Sequence, residues 1–404
     1  MNIKKLIRFG FFFLLTCIHS IHSQETSQTS FGKGLLNIKG KDSTWSMKVG
    51  LRMQLLSDFS WIDEGQNNLS RSEQNVSVRR ARLKFNGFAY SPKLKYKIEL
   101  GLSNRDMSGG SEFTSNTPRY IYDAVVMWNF YQNFELWFGQ TKLPGNIERV
   151  ISSGDLQQVD RSILNSTFNI DRDVGFQLRH YIYLSNKFLI REKFAISQGE
   201  GRNVTEGNLG GLQYTTRLEL LPFGKFKGDG DYKGVDLNRE PTPKLMFGAT
   251  YDANIDAVKT RSNMGTYMFN DIGFYETDIS TLFFDVMFKY RGFSFMGEFA
   301  NRDADNPIAL NSNGTQTGDV VQVGKGLNLQ SGYLFTNNWE VSARFTSVKL
   351  DYNITGANPE EQYTLGLSKF IVGHKLKVQT DFSYLNVDNG LDELMWRIQL
   401  DVHF

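Results

Sequence analysis

Residues 75–103 alternate apolar and polar side chains twice over, with Ser91-Pro92 between the two runs. In the first run Ala81, Leu83, Phe85, Gly87 and Ala89 share one face, and Arg80, Arg82, Lys84 and Asn86 the other. In the second, Leu94, Tyr96, Ile98, Leu100 and Leu102 oppose Lys93, Lys95, Lys97 and Glu99. A period of two places successive side chains on opposite faces of a strand, and two such runs around a tight break predict an antiparallel hairpin. The same period recurs at 45–55, 122–130, 134–138, 174–178, 187–196, 212–220, 245–251, 282–290, 293–299, 327–335, 339–345, 363–367, 376–384 and 394–404. Together with the hairpin these segments predict sixteen strands.

Sixteen is even, and the connections alternate short and long, with one exception at 221–244. Bacterial outer-membrane barrels show this rhythm, with short periplasmic turns and long outer loops. The predicted fold class is therefore all-β: a closed antiparallel 16-stranded transmembrane β-barrel. Closure leaves no strand edge for lipid to solvate, and sixteen strands enclose water rather than a packed core. A soluble set of sandwiches would share the alternation but not the rhythm of loop lengths.

The start of the chain modifies this picture. Residues 1–23 carry Lys4, Lys5 and Arg8 ahead of an apolar run and read as an export signal. A lipid-attachment reading on Leu14-Leu15-Thr16-Cys17 fits poorly because Thr precedes the Cys. Residues 24–43 are polar and aperiodic, a periplasmic lead-in to a single barrel over 44–404. No later stretch is apolar enough for a membrane helix, yet 14% of residues are aromatic. Trp45, Trp128, Trp339 and Trp396 suit girdles at the lipid interface, in contact with outer-membrane lipid and lipopolysaccharide. Cys17 is the only cysteine, so the mature chain is expected to hold no disulfide. Of 45 Lys+Arg and 43 Asp+Glu, the signal takes three cations. The near-neutral remainder gives no bulk attraction for nucleic acid or any other anionic partner.

Charge placement is more informative than charge balance. With the apolar parity turned to lipid, Lys48, Arg52, Arg80, Arg82, Lys84, Lys93, Lys95 and Lys97 face the lumen on the first three strands. Closure brings Lys375, Lys377 and Arg397 beside them. A pore lined by cations selects anions, and the guanidinium fork suits phosphate oxygens. Elsewhere, lumenal charges are expected to pair locally: Arg217 with Glu219, Lys289 with Asp285, Arg302 with Glu298, Arg344 with Glu340. The stripe itself is expected to lack neighbouring acids. Arg79 has lipid parity and reads as a head-group contact or a bulge. His180, His374 and His403 suit neither a triad nor a metal site by position. No catalytic residue and no cofactor are expected; the Asp/Gly-rich stretch 228–236 could hold calcium only loosely.

Val78–Gly87, V-R-R-A-R-L-K-F-N-G, resembles the second strand of the phosphate-selective porin family (porin O/P type). Phe138–Arg149, F-G-Q-T-K-L-P-G-N-I-E-R, resembles that family's approach to its constriction loop. Asp160–Ser162, Arg172–Leu178 and Arg291–Phe299 also fit. The resemblance implies a trimeric channel, a third loop (141–172) folded inward, and a ladder of cations guiding anions. It makes Arg80 and Arg82 ladder residues and Lys142 the loop cation, with Arg149 facing the pore or pairing with Glu148. The loop balances its cations with Glu148, Asp155, Asp160 and Asp171, which departs from strict phosphate selection. The function expected is passive diffusion of small anions such as phosphate through a homotrimer. The anion-binding pore lining would be Arg52, Arg80, Arg82, Lys84, Lys93, Lys95, Lys97, Lys142 and Arg149. Alternatives are a weakly selective nutrient porin and a surface adhesin or receptor that works through its outer loops.

Overall fold

The computed structural model describes residues 29–63, 69–206 and 209–404. The expected export signal, 1–23, lies outside the described residues. Sixteen strands form the wall: β1 (Trp45–Asp63), β2 (Leu69–Ala89), β3 (Ser91–Gly101), β4 (Ile121–Tyr131), β5 (Phe134–Lys142), β6 (Arg172–Tyr183), β7 (Leu189–Ser197) and β8 (Gln213–Leu221), then β9 (Lys244–Ala257), β10 (Thr277–Tyr290), β11 (Phe293–Ala304), β12 (Gly324–Leu334), β13 (Trp339–Leu350), β14 (Glu360–Phe370), β15 (Leu376–Val387) and β16 (Asp392–His403). Each pairs antiparallel with its neighbour, and β16 returns to β1 in register from Arg52↔His403 to Asp63↔Asp392. Across that seam Trp396 stacks between Phe59 and Phe382, at 5.3 and 5.7 Å. The lead-in also contributes structure: Leu36–Lys39 pairs with the start of β1, below the point where β16 ends.

Alternation places the residues as the pattern predicts. Trp128, Phe138, Phe176, Phe284 and Phe382 stand exposed on the outside, whereas Asp123, Thr215, Arg217 and Glu219 are buried on the inside. Periplasmic turns other than 222–243 are short: between β10 and β11, Arg291 and Gly292 both have positive φ, 48° and 92°, the geometry of a two-residue turn that matches strand twist. One irregularity matters for the lumen. In β2 the register slips so that Gln54 faces Arg80 while Leu55 faces Val78. Arg79 is the extra residue of this bulge. It is buried and ion-paired to Asp160, so the bulge reading of Arg79 holds and the head-group reading does not.

The lumen is not empty. The outer connection between β5 and β6, residues 143–171, drops inside and packs apolar side chains on the far wall. Ile147, Ile151 and Leu156 bury against Leu189, Leu221, Met246, Met287 and Met296. Leu164, Phe168 and Ile170 bury against Ala195, Phe283 and Ala300. Small residues on the wall make room for it: a Cβ at Gly366 would lie 2.2 Å from Gln158 Oε1, and one at Gly332 2.2 Å from Gln157 Nε2. The inward loop therefore fills the lumen along β7–β14 and leaves the side lined by β2–β7 open.

Candidate functional site

The open side is a cavity of about 720 Å³. Lumenal faces of β2–β7 form its wall, the inward loop one flank, and the outer loop after β3 its upper rim. Twelve cationic side chains line it, against three carboxylates, Glu99, Asp106 and Asp123.

Six of the cations have a carboxylate within 4 Å. Arg82 reaches Glu99 at 3.0 Å and Asp106 at 2.9 Å. Lys97 reaches Asp123 at 2.6 Å and Glu99 at 3.2 Å. Arg172 contacts Asp123 at 3.2 Å and Asp171 at 3.4 Å. Arg149 grips Asp171 with two nitrogens, its Nε donating at 2.7 Å. Lys193 meets Glu219 at 2.7 Å, and Arg80 lies 3.8 Å from Asp160. Burial alone would raise the Asp171 carboxyl, but Arg149 and Arg172 beside it hold it well below the usual range.

The other six, Lys84, Arg105, Lys142, Arg161, Arg179 and Arg261, have no carboxylate within 4 Å among the described residues. Several are fixed by neutral acceptors instead. Lys142 Nζ donates to the carbonyls of Arg149, Val150 and Ile151 at 2.7, 3.1 and 3.2 Å, closing the end of the short helix Ile147–Val150. Arg161 donates to the carbonyls of Glu148 at 2.9 Å and Ile151 at 2.7 Å. Arg179 Cζ lies over Trp137, 3.5 Å from the ring centre, and the guanidinium donates to Gln177 at 2.7 Å. Carbonyl dipoles and ring faces orient a cation without cancelling its charge. Burial, with Arg149 nearby, pulls the Arg161 guanidinium down to about 9; an anion in the cavity would relieve that cost.

Against the expected lining, Arg80, Arg82, Lys84, Lys97, Lys142 and Arg149 do border the cavity. Arg52 does not: it forks onto Asp401 at 3.1 Å and donates to Ser153 Oγ at 2.7 Å, tying the inward loop to the wall. Lys93 and Lys95 stand exposed near the β2–β3 turn, outside the cavity. The stripe does not lack acids, as the pairs above show. Its carboxylates come from register-opposed positions and loops: Glu99 faces Lys84 on one side and Asp123 on the other. Opposed residues sit about 5 Å apart, which reading along one strand does not reveal.

Of the four expected local pairs only Arg217–Glu219 forms, at 2.7 Å. The other three span four residues on one strand, roughly 13 Å. Lys289 instead donates to the carbonyls of Lys233 and Val235, Arg302 to those of Thr167 and Phe168, and Arg344 to that of Asp160. Arg105, Arg161, Arg172, Arg179, Lys193 and Arg261 were absent from the expected lining. Arg179 and Lys193 are opposed in register on β6 and β7, so their parity carried the signal; Arg105, Arg161 and Arg261 sit in outer segments with no period to place them. The inward loop is balanced in sequence but sorted in space. Glu148 turns to Ser162 and Arg344, and Asp160 to Arg79, while Lys142, Arg149 and Arg161 face the cavity.

The family described as phosphate-selective porin O and P matches residues 47–266. No curated protein matches the sequence. Among solved structures, an anion-selective porin from Comamonas acidovorans aligns with a TM-score of 0.51 at 11% identity, covering 89% of this chain and 100% of its own. A trimer form of OmpT, an outer-membrane protein of Vibrio cholerae, aligns at 0.50 and 12% identity, covering 88% and 99%. These likenesses are of fold.

Proposed function

The chain belongs to the phosphate-selective porin O and P family and is an outer-membrane porin; on that premise we propose that it passes small anions, phosphate or phosphate-like solutes among them, through the cation-lined cavity. The observation that carries this reading is the lining itself: twelve cations against three carboxylates in the wall and three more, Asp160, Asp171 and Glu219, that reach those cations from behind it. Such an excess attracts anions and repels cations at a narrow, partly desolvated passage. Lys84, Arg105 and Arg179, with no carboxylate within 4 Å among the described residues, supply the field, and the forked arginines supply oxygen contacts. The exposed Lys93 and Lys95 extend the cationic surface toward the periplasmic mouth.

A double change, Lys84→Gln with Arg179→Gln, tests this. We expect the reversal potential under a salt gradient to shift from the anion side toward zero, with the barrel intact. An unchanged potential would remove the cavity from the selection step. A weakly selective nutrient porin is the second reading, favoured by the six cations already paired to carboxylates. The likeness to the trimer form of OmpT supports a homotrimer, which cross-linking in detergent would check; a single monomer band would refute it.

A further inference from the structure

Residues 222–243 join β8 to β9 at the periplasmic rim, where the other connections are short. They fold up into the lumen and meet the inward loop there. Phe226 buries in the same cluster as Leu156. The Gly234 N–H donates to the Asp155 carbonyl at 2.8 Å, and a Cβ at Gly234 would lie 2.6 Å from the Gln157 nitrogen. Lys289 holds the segment from β10 through two carbonyls, at 2.8 and 2.7 Å. Asp236 holds its return by accepting from the N–H of Glu240 at 3.0 Å and of Gly292 at 2.8 Å. These ties deliver Tyr232 to the cavity wall. Its hydroxyl donates to Glu219 at 2.5 Å and also contacts the Lys193 ammonium. The Arg191 guanidinium stands 5.1 Å from its ring.

We propose that this segment is a second constriction element, entering from the periplasmic side, and that Tyr232 is a pore-lining residue that positions Lys193. The proposal rests on the reading of the chain as an anion channel. Glu219 already receives Arg217, Arg191 and Lys193. The Tyr232 hydroxyl occupies one more of its acceptor sites and sits on Lys193, so the ammonium is shared rather than swallowed by the carboxylate. Without the hydroxyl, Glu219 loses a donor and Lys193, already 2.7 Å from Glu219, loses its second acceptor, so more of the carboxylate's charge is felt in the cavity; without the ring, the passage widens.

The test is single-channel recording in a planar bilayer of the wild type, Tyr232→Phe, Tyr232→Ala and Tyr232→Cys. Cys17 is the only cysteine of the sequence and falls in the expected export signal, so Tyr232→Cys gives the mature chain one thiol. A negatively charged methanethiosulfonate labels it: the thiolate attacks the reagent's sulfur, a disulfide forms and sulfinate leaves. We expect Tyr232→Phe to shift the reversal potential toward zero at unchanged conductance, Tyr232→Ala to raise the conductance, and labelling to cut the current. Wild-type conductance and potential in both variants, with no response to label in a barrel that folds, would overturn the proposal. A wild type without anion preference would overturn the channel's selectivity instead, and the conductance of Tyr232→Ala would still decide whether the segment lines the path.

Discussion

At the scale of single residues, geometry assigns different work to side chains that look alike in sequence. Lys142 borders the cavity, but its three carbonyl contacts make it the clamp of the inward loop. Lys142→Met leaves those carbonyls bare, at a cost on the order of 1–3 kcal/mol, and should lower the thermal unfolding midpoint in detergent; an unchanged midpoint would deny the clamp. Glu200, in the outer connection between β7 and β8, is buried, its carboxylate taking one N–H from Gly210 at 3.2 Å. Burial and the neighbouring Asp173 push its carboxyl up to about 7 from 4.5. Between those values the folded chain keeps a proton that the unfolded chain releases, so local stability falls as pH rises through this window and is level above it. Hydrogen exchange, corrected for intrinsic rate, should show this connection opening more at pH 8 than at pH 5 in the wild type, and a smaller difference in Glu200→Gln, where Asp173 remains bonded to the Gly199 N–H. The lumenal parity of Arg80, Arg82 and Lys84 was legible in the alternation. The loop partners of the two arginines were not, because Asp106, which meets Arg82, and Asp160, which approaches Arg80, sit in outer segments with no period.

At the scale of elements, period two was enough to find all sixteen strands, since each must turn one face to lipid and one to water. It could not find what sits inside them. The inward loop carries no period; its placement is written in apolar lumen-parity residues, Met246, Phe283, Met287 and Met296, which look misplaced on a wet wall until the loop covers them. The same holds for Gly332 and Gly366, where the amide ends of the loop's Gln157 and Gln158 occupy the space a Cβ would take. Gly366→Leu should push the loop off the wall into the open side, reducing single-channel conductance; wild-type conductance would show that the loop's seat tolerates the side chain. The Arg79 bulge belongs here too, since one inserted residue turns two successive arginines inward and a strict alternation hides one of them.

At the scale of the whole molecule, the near-neutral composition conceals a polarised lumen. The loop that enters from outside gives its apolar face to one half of the barrel and its cations to the other. The segment that enters from the periplasm meets it through Gly234 and Asp155. The cavity between them is lined by twelve cations, six of them with no carboxylate within 4 Å among the described residues. The most direct test is the reversal potential of the purified protein in a planar bilayer under a chloride gradient, followed by titration of phosphate. The account predicts an anion-side potential and a chloride current that falls as phosphate occupies the cavity. A cation-side or zero potential, with chloride current indifferent to phosphate, would contradict it.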